Sequence, residues 1–147
     1  MQQTEFLSWL HAEIPLTAAM QIDSVEFDGH RLALHAPLAP NLNDKGTGFA
    51  GSTSGLATLS GWCIITLWLR ERGIDADVMI ARSETEYLAP LTQDLQTSVS
   101  LPESDLLAAF EQRLKERGRA RLPLTVLLGD PASPVLKLTG DYAARVR

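Results

Sequence analysis

The chain has 147 residues, 45% of them apolar, with 13 basic against 18 acidic side chains and a net charge of −5. That length suits one domain around one core, and the acidic balance disfavours a nucleic-acid partner. The single cysteine, Cys63, excludes an internal disulfide and a multi-cysteine metal site; the N-terminus shows no basic n-region and no long apolar h-region, so no signal peptide is expected and a cytoplasmic protein is the default reading.

Thr4–Ala12 reads as a short amphipathic helix with Phe6, Leu7 and Leu10 on one face, ended by Pro15. Ile22–Phe27 reads as a strand, Asp28-Gly29 as a hairpin turn and Arg31–Ala36 as the return strand. Pro37–Lys45 is a loop with two prolines. Gly46–Leu69 then holds 24 residues without one charge, bounded by Asp44-Lys45 and by Arg70-Glu71-Arg72. Half of that window is Gly, Ser or Thr, and its strongly apolar run is only Trp62–Leu69. A membrane-spanning helix needs about 20 mostly apolar residues, so the window predicts a buried helix over about Ser52–Arg70, entered through a small-residue loop and closed by Gly73.

Asp77–Leu88 is a long strand candidate, Ala89-Pro90-Leu91-Thr92 a turn, and Leu95–Leu101 an alternating strand. Glu103–Arg117 is helical, with Leu106, Leu107, Phe110 and Leu114 at helical spacing. Arg119–Leu128 and Val135–Val146 predict a last hairpin around Gly129–Pro134, with Pro123 at a bulge or an edge. No internal repeat, linker or low-complexity tract stands out. The order β-β-α-β-β-(α)-β-β does not alternate strand with helix, which disfavours a parallel sheet. A helix apolar nearly all round at Trp62–Leu69 needs cover on most sides. One antiparallel sheet curled around it supplies that cover, so the pattern predicts an α+β single domain of the hotdog type, residues 1–147.

Several motifs bear on chemistry. Gly46-Thr-Gly48-Phe-Ala-Gly51 matches G-x-G-x-x-G, but a Pro-rich loop precedes it where a dinucleotide site needs a strand, and Arg70 stands near the expected acid. Its glycines suit close backbone approach to a ligand at a helix N-terminus, where free N–H groups bind anions. Ser52, Thr53 and Ser54 lack the G-x-S-x-G elbow and read as helix N-capping residues. His11, His30 and His35 show no metal-ligand spacing, so no metal is expected. Cys63 sits among apolar neighbours and reads as inert core. Asn41 and Asn43 fit turn chemistry, while an amide at Asn43 could equally aim its donor at a ligand; local chemistry leaves both open. Glu111–Arg121 carries five basic and two acidic residues. It reads either as a solvated helix end that complements the macrodipole or as a dock for an anionic partner.

Asn43-x-x-Gly46-x-x-Phe49-Ala50-Gly51 followed by Leu56-Ala57-Thr58 resembles the hotdog acyl-thioesterase pattern N-x-x-G-x-x-H-G-G-x4-L-A-[DE]. Phe49 stands in place of that pattern's His, and Thr58 in place of its water-activating acid. A closer resemblance is to the YiiD C-terminal domain family. It is carried by Ala36–Asn43 (APLAPNLN), Phe49-Ala-Gly-Ser52, Leu56–Trp62 (LATLSGW) and Tyr87-Leu-Ala-Pro90, in order across about 55 residues. That resemblance implies the stand-alone form of the family and a malonyl-acyl-carrier-protein decarboxylase making acetyl-ACP for fatty-acid synthesis, once labelled a thioesterase. It implies Asn43 as the catalytic residue.

Loss of CO2 from a malonyl thioester develops an enolate oxyanion that preorganised donors must stabilise. Asn43 and the backbone around Ala50, Gly51 and Ser52 are candidate donors. Phe49 is a candidate dry wall around the departing carboxylate, and Thr58 is the position where the hydrolytic acid is missing. No cofactor is expected beyond the phosphopantetheine that carries the substrate, on acyl carrier protein or CoA. Arg113, Lys115, Arg117, Arg119 and Arg121 are the candidate dock for an acidic carrier. Hotdog domains resemble one another in pairing sheets edge to edge, so a homodimer is expected, with the tetramer open. The alternatives are an acyl-CoA or acyl-ACP thioesterase, with Asp44 as the nearest loop carboxylate, and a non-catalytic acyl-thioester binding module.

Overall fold

A computed structural model describes residues 2–147. Its elements are α1 (Gln3–Glu13), α2 (Pro15–Ala19), β1 (Ser24–Phe27), β2 (Arg31–Ala36), α3 (Ala50–Glu71), β3 (Ala76–Tyr87), β4 (Leu95–Ser100), α4 (Ser104–Arg117), β5 (Arg119–Asp130) and β6 (Ser133–Val146). The strands form one sheet in the order β1-β2-β4-β5-β6-β3, with every neighbouring pair antiparallel. The sheet wraps α3, which is the hotdog arrangement that the pattern predicts.

The core explains the wrapping. Cys63 through Leu69 are all buried, because these residues, about two turns of α3, are apolar nearly all round and have the sheet against them and α4 across their end. Phe110 of α4 lies 5.9 Å from Trp68, ring centre to ring centre. On the sheet, Leu122, Leu124, Val126 and Leu128 alternate inward along β5, with Leu136, Leu138 and Tyr142 beside them on β6. Gly61 lets helix and sheet meet: a Cβ there would overlap the Tyr142 ring, whose hydroxyl donates to Thr58 O at 2.8 Å. A second link is polar. Thr97 Oγ1 lies 2.6 Å from Ser60 Oγ and accepts the Leu34 N–H at 3.1 Å, joining α3, β4 and β2 in the core.

Local boundaries depart from the sequence reading for identifiable reasons. Pro15 ends α1 as expected but also opens α2, since the first helical position needs no N–H. The closing hairpin turns at Pro131-Ala132 alone, with Ala132 N bonded to Asp130 Oδ1 at 2.9 Å, because Gly129 at φ +99° absorbs a register shift inside the ladder. Pro123 sits within β5, yet the β4 ladder covers only Val126–Leu128. The proline therefore lies where β5 has no partner on that side, the edge position expected. Among the described residues no helix is long and apolar enough to cross a membrane.

Candidate functional site

The stretch between β2 and α3 is a tight loop held by its own polar groups. Asn41 is buried; its Nδ2 donates to Met20 O at 3.0 Å and Pro37 O at 2.8 Å, and its carbonyl accepts the Phe49 N–H at 2.8 Å. Asn43 closes the inner turn. Its Oδ1 accepts the backbone N–H groups of Lys45 at 2.8 Å and Thr47 at 3.1 Å, and its Nδ2 donates to Thr47 Oγ1 at 2.8 Å and Gly48 O at 3.3 Å. Gly46, at φ +77°, supplies the left-handed residue this turn requires. Gly48 donates its N–H to Leu91 O at 2.8 Å and lies so close to Leu91 and Thr53 that a Cβ would press on both.

This loop delivers the chain to the start of α3, which begins at Ala50, two residues before the sequence reading placed it. Ser52, Thr53 and Ser54 are therefore not its N-cap. Phe49 occupies that position without a capping side chain, and the hydroxyls of Thr53 and Ser54 turn back to Ala50 O at 3.3 and 2.7 Å. The N–H groups of Ser52 and Thr53 both reach Phe49 O at 2.9 Å. Those of Ala50 and Gly51 have no acceptor among the described residues, and the positive end of a 22-residue helix dipole lies behind them.

Beside these donors lies a cleft of about 410 Å³ lined by Asn43, Thr47, Gly48, Ala50, Thr53, the segment Tyr87–Leu91 and Val135-Leu136. Among the described residues lining it, none is Asp, Glu, His, Lys, Arg or Cys. Its floor is the helix N-terminus and its wall is the strand end that leaves β3, with Tyr87 and Leu88 more than half exposed at the rim.

The structure brings Asn43 and Ala50 together and spreads the other candidates. Phe49, 52% exposed, folds its ring over Gly51, where a Cβ would collide with it; the ring shields the helix start. Ser52 is half-buried just behind. Thr58 lies about 12 Å further along the helix axis, its hydroxyl bonded to Ser54 O at 2.8 Å. Asp44 is 82% exposed and ion-paired with Lys45 at 2.9 Å. Thr47, Thr53 and the Tyr87–Leu91 wall were not singled out as site residues from sequence. The signal that could have found the wall is an exposed aromatic-aliphatic pair at the end of a strand, directly before a proline turn.

Other titratable groups stand apart. Burial pushes the Cys63 thiol well above its usual range, so it stays protonated. His35 bonds Asp23 Oδ1 through Nδ1 at 2.6 Å and faces Asp94 Oδ2 at 3.3 Å; the Asp23 hydrogen bond raises its pKa above the ordinary value of 6.5. Among the described residues no three His, Cys, Asp or Glu side chains lie together as metal ligands would. The basic run also divides: Lys115 turns to Glu111 at 3.8 Å and Arg117 closes α4, while Arg113, Arg119 and Arg121 converge with Arg145, which the linear run does not contain.

Residues 3–146 match the family described as "Putative thioesterase (yiiD_Cterm)". Among solved structures, a protein of unknown function from Chlorobaculum tepidum TLS superposes with a TM-score of 0.91 at 27% identity, over 98% of this chain and 94% of that one. A protein from Shewanella oneidensis described as a putative thioesterase has 31% identity and a TM-score of 0.85, over 99% and 97% of the two chains. A thioesterase from Haemophilus influenzae shares the fold, with a TM-score of 0.76 at 11% identity over 99% and 92%.

Proposed function

Since the chain belongs to the YiiD C-terminal family of thioesterase-like hotdog proteins, we propose that it decarboxylates a malonyl thioester borne on acyl carrier protein, leaving the acetyl thioester that starts fatty-acid synthesis. The observation that carries this reading is the cleft at the α3 N-terminus: it offers oxyanion donors and, among the described residues lining it, no Asp, Glu, His, Lys, Arg or Cys side chain to act as a general base. Hydrolysis needs a base to activate water. Decarboxylation needs none. The bond between the carboxylate carbon and the α-carbon breaks, its electron pair moves into the thioester as an enolate, and CO2 departs; the α-carbon then takes a proton from solvent.

The roles follow from position. The open N–H of Ala50, which lines the cleft, meets the enolate oxygen, helped by the helix dipole. Asn43 joins it by exchanging its long 3.3 Å bond to Gly48 O for the oxyanion. Phe49 keeps the helix start dry, and Ser52 backs it. At Thr58 a hydroxyl stands where an acid would favour water attack. Asp44, exposed and paired with Lys45, is poorly placed to be that acid.

The protein works as a homodimer in this reading. β3 ends the sheet, is 12 residues long and contains no buried residue, while Trp62 Nε1 holds it from the helix side at Val78 O, 2.8 Å away. A long unpaired edge of that kind is a template for a second copy. CoA is the other carrier that fits the same thioester chemistry. Incubation with malonyl-ACP, followed by mass, tests the reading. Acetyl-ACP is the expected product; free ACP would replace it with hydrolysis, and unchanged malonyl-ACP with a binding module.

A further inference from the structure

The outer face of β3, β6 and β5 arranges most of its charges in complementary cross-strand pairs. Glu86 lies opposite Lys137, Arg82 opposite Asp141 and Asp77 opposite Arg145, the last pair at 3.6 Å. Opposite charges across a ladder stabilise a sheet, and like charges directly opposite destabilise it. One pair breaks the pattern: Arg119 lies opposite Arg145. Arg121 lies opposite Ala143, and none of Arg113, Arg119 and Arg121 ion-pairs with any described residue. With Arg145 these arginines rim a shallow depression of about 550 Å³ that holds Met79, 42% exposed, and Ala143.

The guanidinium groups of Arg113, Arg119 and Arg121, without internal acids and placed on a rigid platform, match external carboxylates in paired-bond geometry. Alternate residues on a strand lie about 6.6 Å apart and facing strands about 5 Å apart, close to the spacing of i, i+4 carboxylates on a helix. A bare phosphate has no use for the exposed Met79, whereas arginine and methionine together are the composition of protein interfaces.

We infer that this patch docks an acidic helical surface of the protein that carries the thioester; the identity of the carrier rests on the proposed function, while the patch does not. Met79 and Tyr87 are about 26 Å apart along β3, so the patch does not serve the cleft of its own chain. Antiparallel pairing of two β3 edges brings the Ala76 end of one strand beside the Tyr87 end of the other. A carrier docked on one protomer thereby addresses the cleft of its partner.

The test is fluorescence anisotropy of labelled apo acyl carrier protein, which lacks the phosphopantetheine arm, titrated with the full chain at low salt. The expected result is saturable binding that weakens as salt rises. Arg119→Glu and Arg121→Glu each weaken it about tenfold or more. Arg31→Glu, on the same sheet face but on β2, leaves it unchanged; circular dichroism confirms that all three variants fold. Absence of wild-type binding, unchanged affinity in both patch variants, or equal loss in Arg31→Glu would each overturn the dock. So would a CoA titration in which the patch variants lose CoA but keep the carrier. Wild-type protein that binds the carrier normally yet leaves malonyl-ACP unchanged would sink the proposed reaction and leave the dock standing.

Discussion

Replacing Asn43 by Asp separates the two jobs its amide can do. In the loop, Oδ1 accepts two backbone N–H groups, from Lys45 at 2.8 Å and Thr47 at 3.1 Å. A carboxylate keeps both, and the Thr47 hydroxyl can turn to donate to it. Only Gly48 O loses its partner, through a bond already stretched to 3.3 Å. One weak hydrogen bond is worth about 1 kcal/mol or less, equivalent to about 2–4 °C in Tm for a chain near this size. The new negative charge close to the α3 N-terminus returns part of that, about 0.3–1 kcal/mol. The reaction fares differently. The oxyanion loses a preorganised donor and meets a like charge, and loss of one such donor costs about 10²–10³ in kcat. Asn43→Asp is therefore expected to melt within a few degrees of wild type while acetyl-ACP formation, followed by mass, falls at least a hundredfold. Turnover within a few-fold of wild type would refute a donor role for Asn43. A large drop in Tm would refute the claim that Oδ1 holds the turn.

Four further outcomes follow from the structure. Gly61→Ala forces a methyl group into the Tyr142 ring and is expected to cost about 1–3 kcal/mol, read as a lower urea midpoint; Tyr142→Phe, which removes only the bond to Thr58 O, should cost about 1 kcal/mol. His35 has a folded pKa raised chiefly by its hydrogen bond to Asp23, so its stabilising contribution is fully present below the unfolded value of 6.5 and is lost as pH rises through the raised folded value. The Tm difference between wild type and His35→Gln should accordingly shrink as pH rises above 6.5; a difference independent of pH would contradict the assignment. Sedimentation at micromolar concentration should give a dimer through β3, and a monomer there would remove the shared-edge arrangement.

Much of the architecture was legible because it depends on local chemistry. Burial of the apolar end of the uncharged window, Cys63–Leu69, follows from composition, since an uncharged stretch too polar overall for a membrane has only the core in which to place its apolar run. The hairpins followed from turn residues at Asp28-Gly29 and alternation in β2, β4 and β5. Where the reading slipped, two local forces competed. Ser52-Thr-Ser54 has the composition of an N-cap, yet the loop bonds of Asn41 and Gly48 fix the chain two residues earlier, and the helix starts under Phe49. At the closing hairpin, Gly129 looked like the turn but serves as a bulge within a ladder that runs on to Asp130.

The sequence by itself determined which residues must be inside, and that no acid or histidine stands at the positions corresponding to Thr58 and Phe49. These are properties of residue type and spacing, and spacing along one helix or loop survives folding unchanged. Only the tertiary structure decided which residues share a cleft or a patch. Tyr87–Leu91 and Leu136 join Asn43 because β6 carries β3 back past the start of α3. Arg145 joins Arg119 because β5 and β6 pair in a register that sets them opposite. Strand order and register are set by the whole core closing at once, and no segment of the chain encodes them alone.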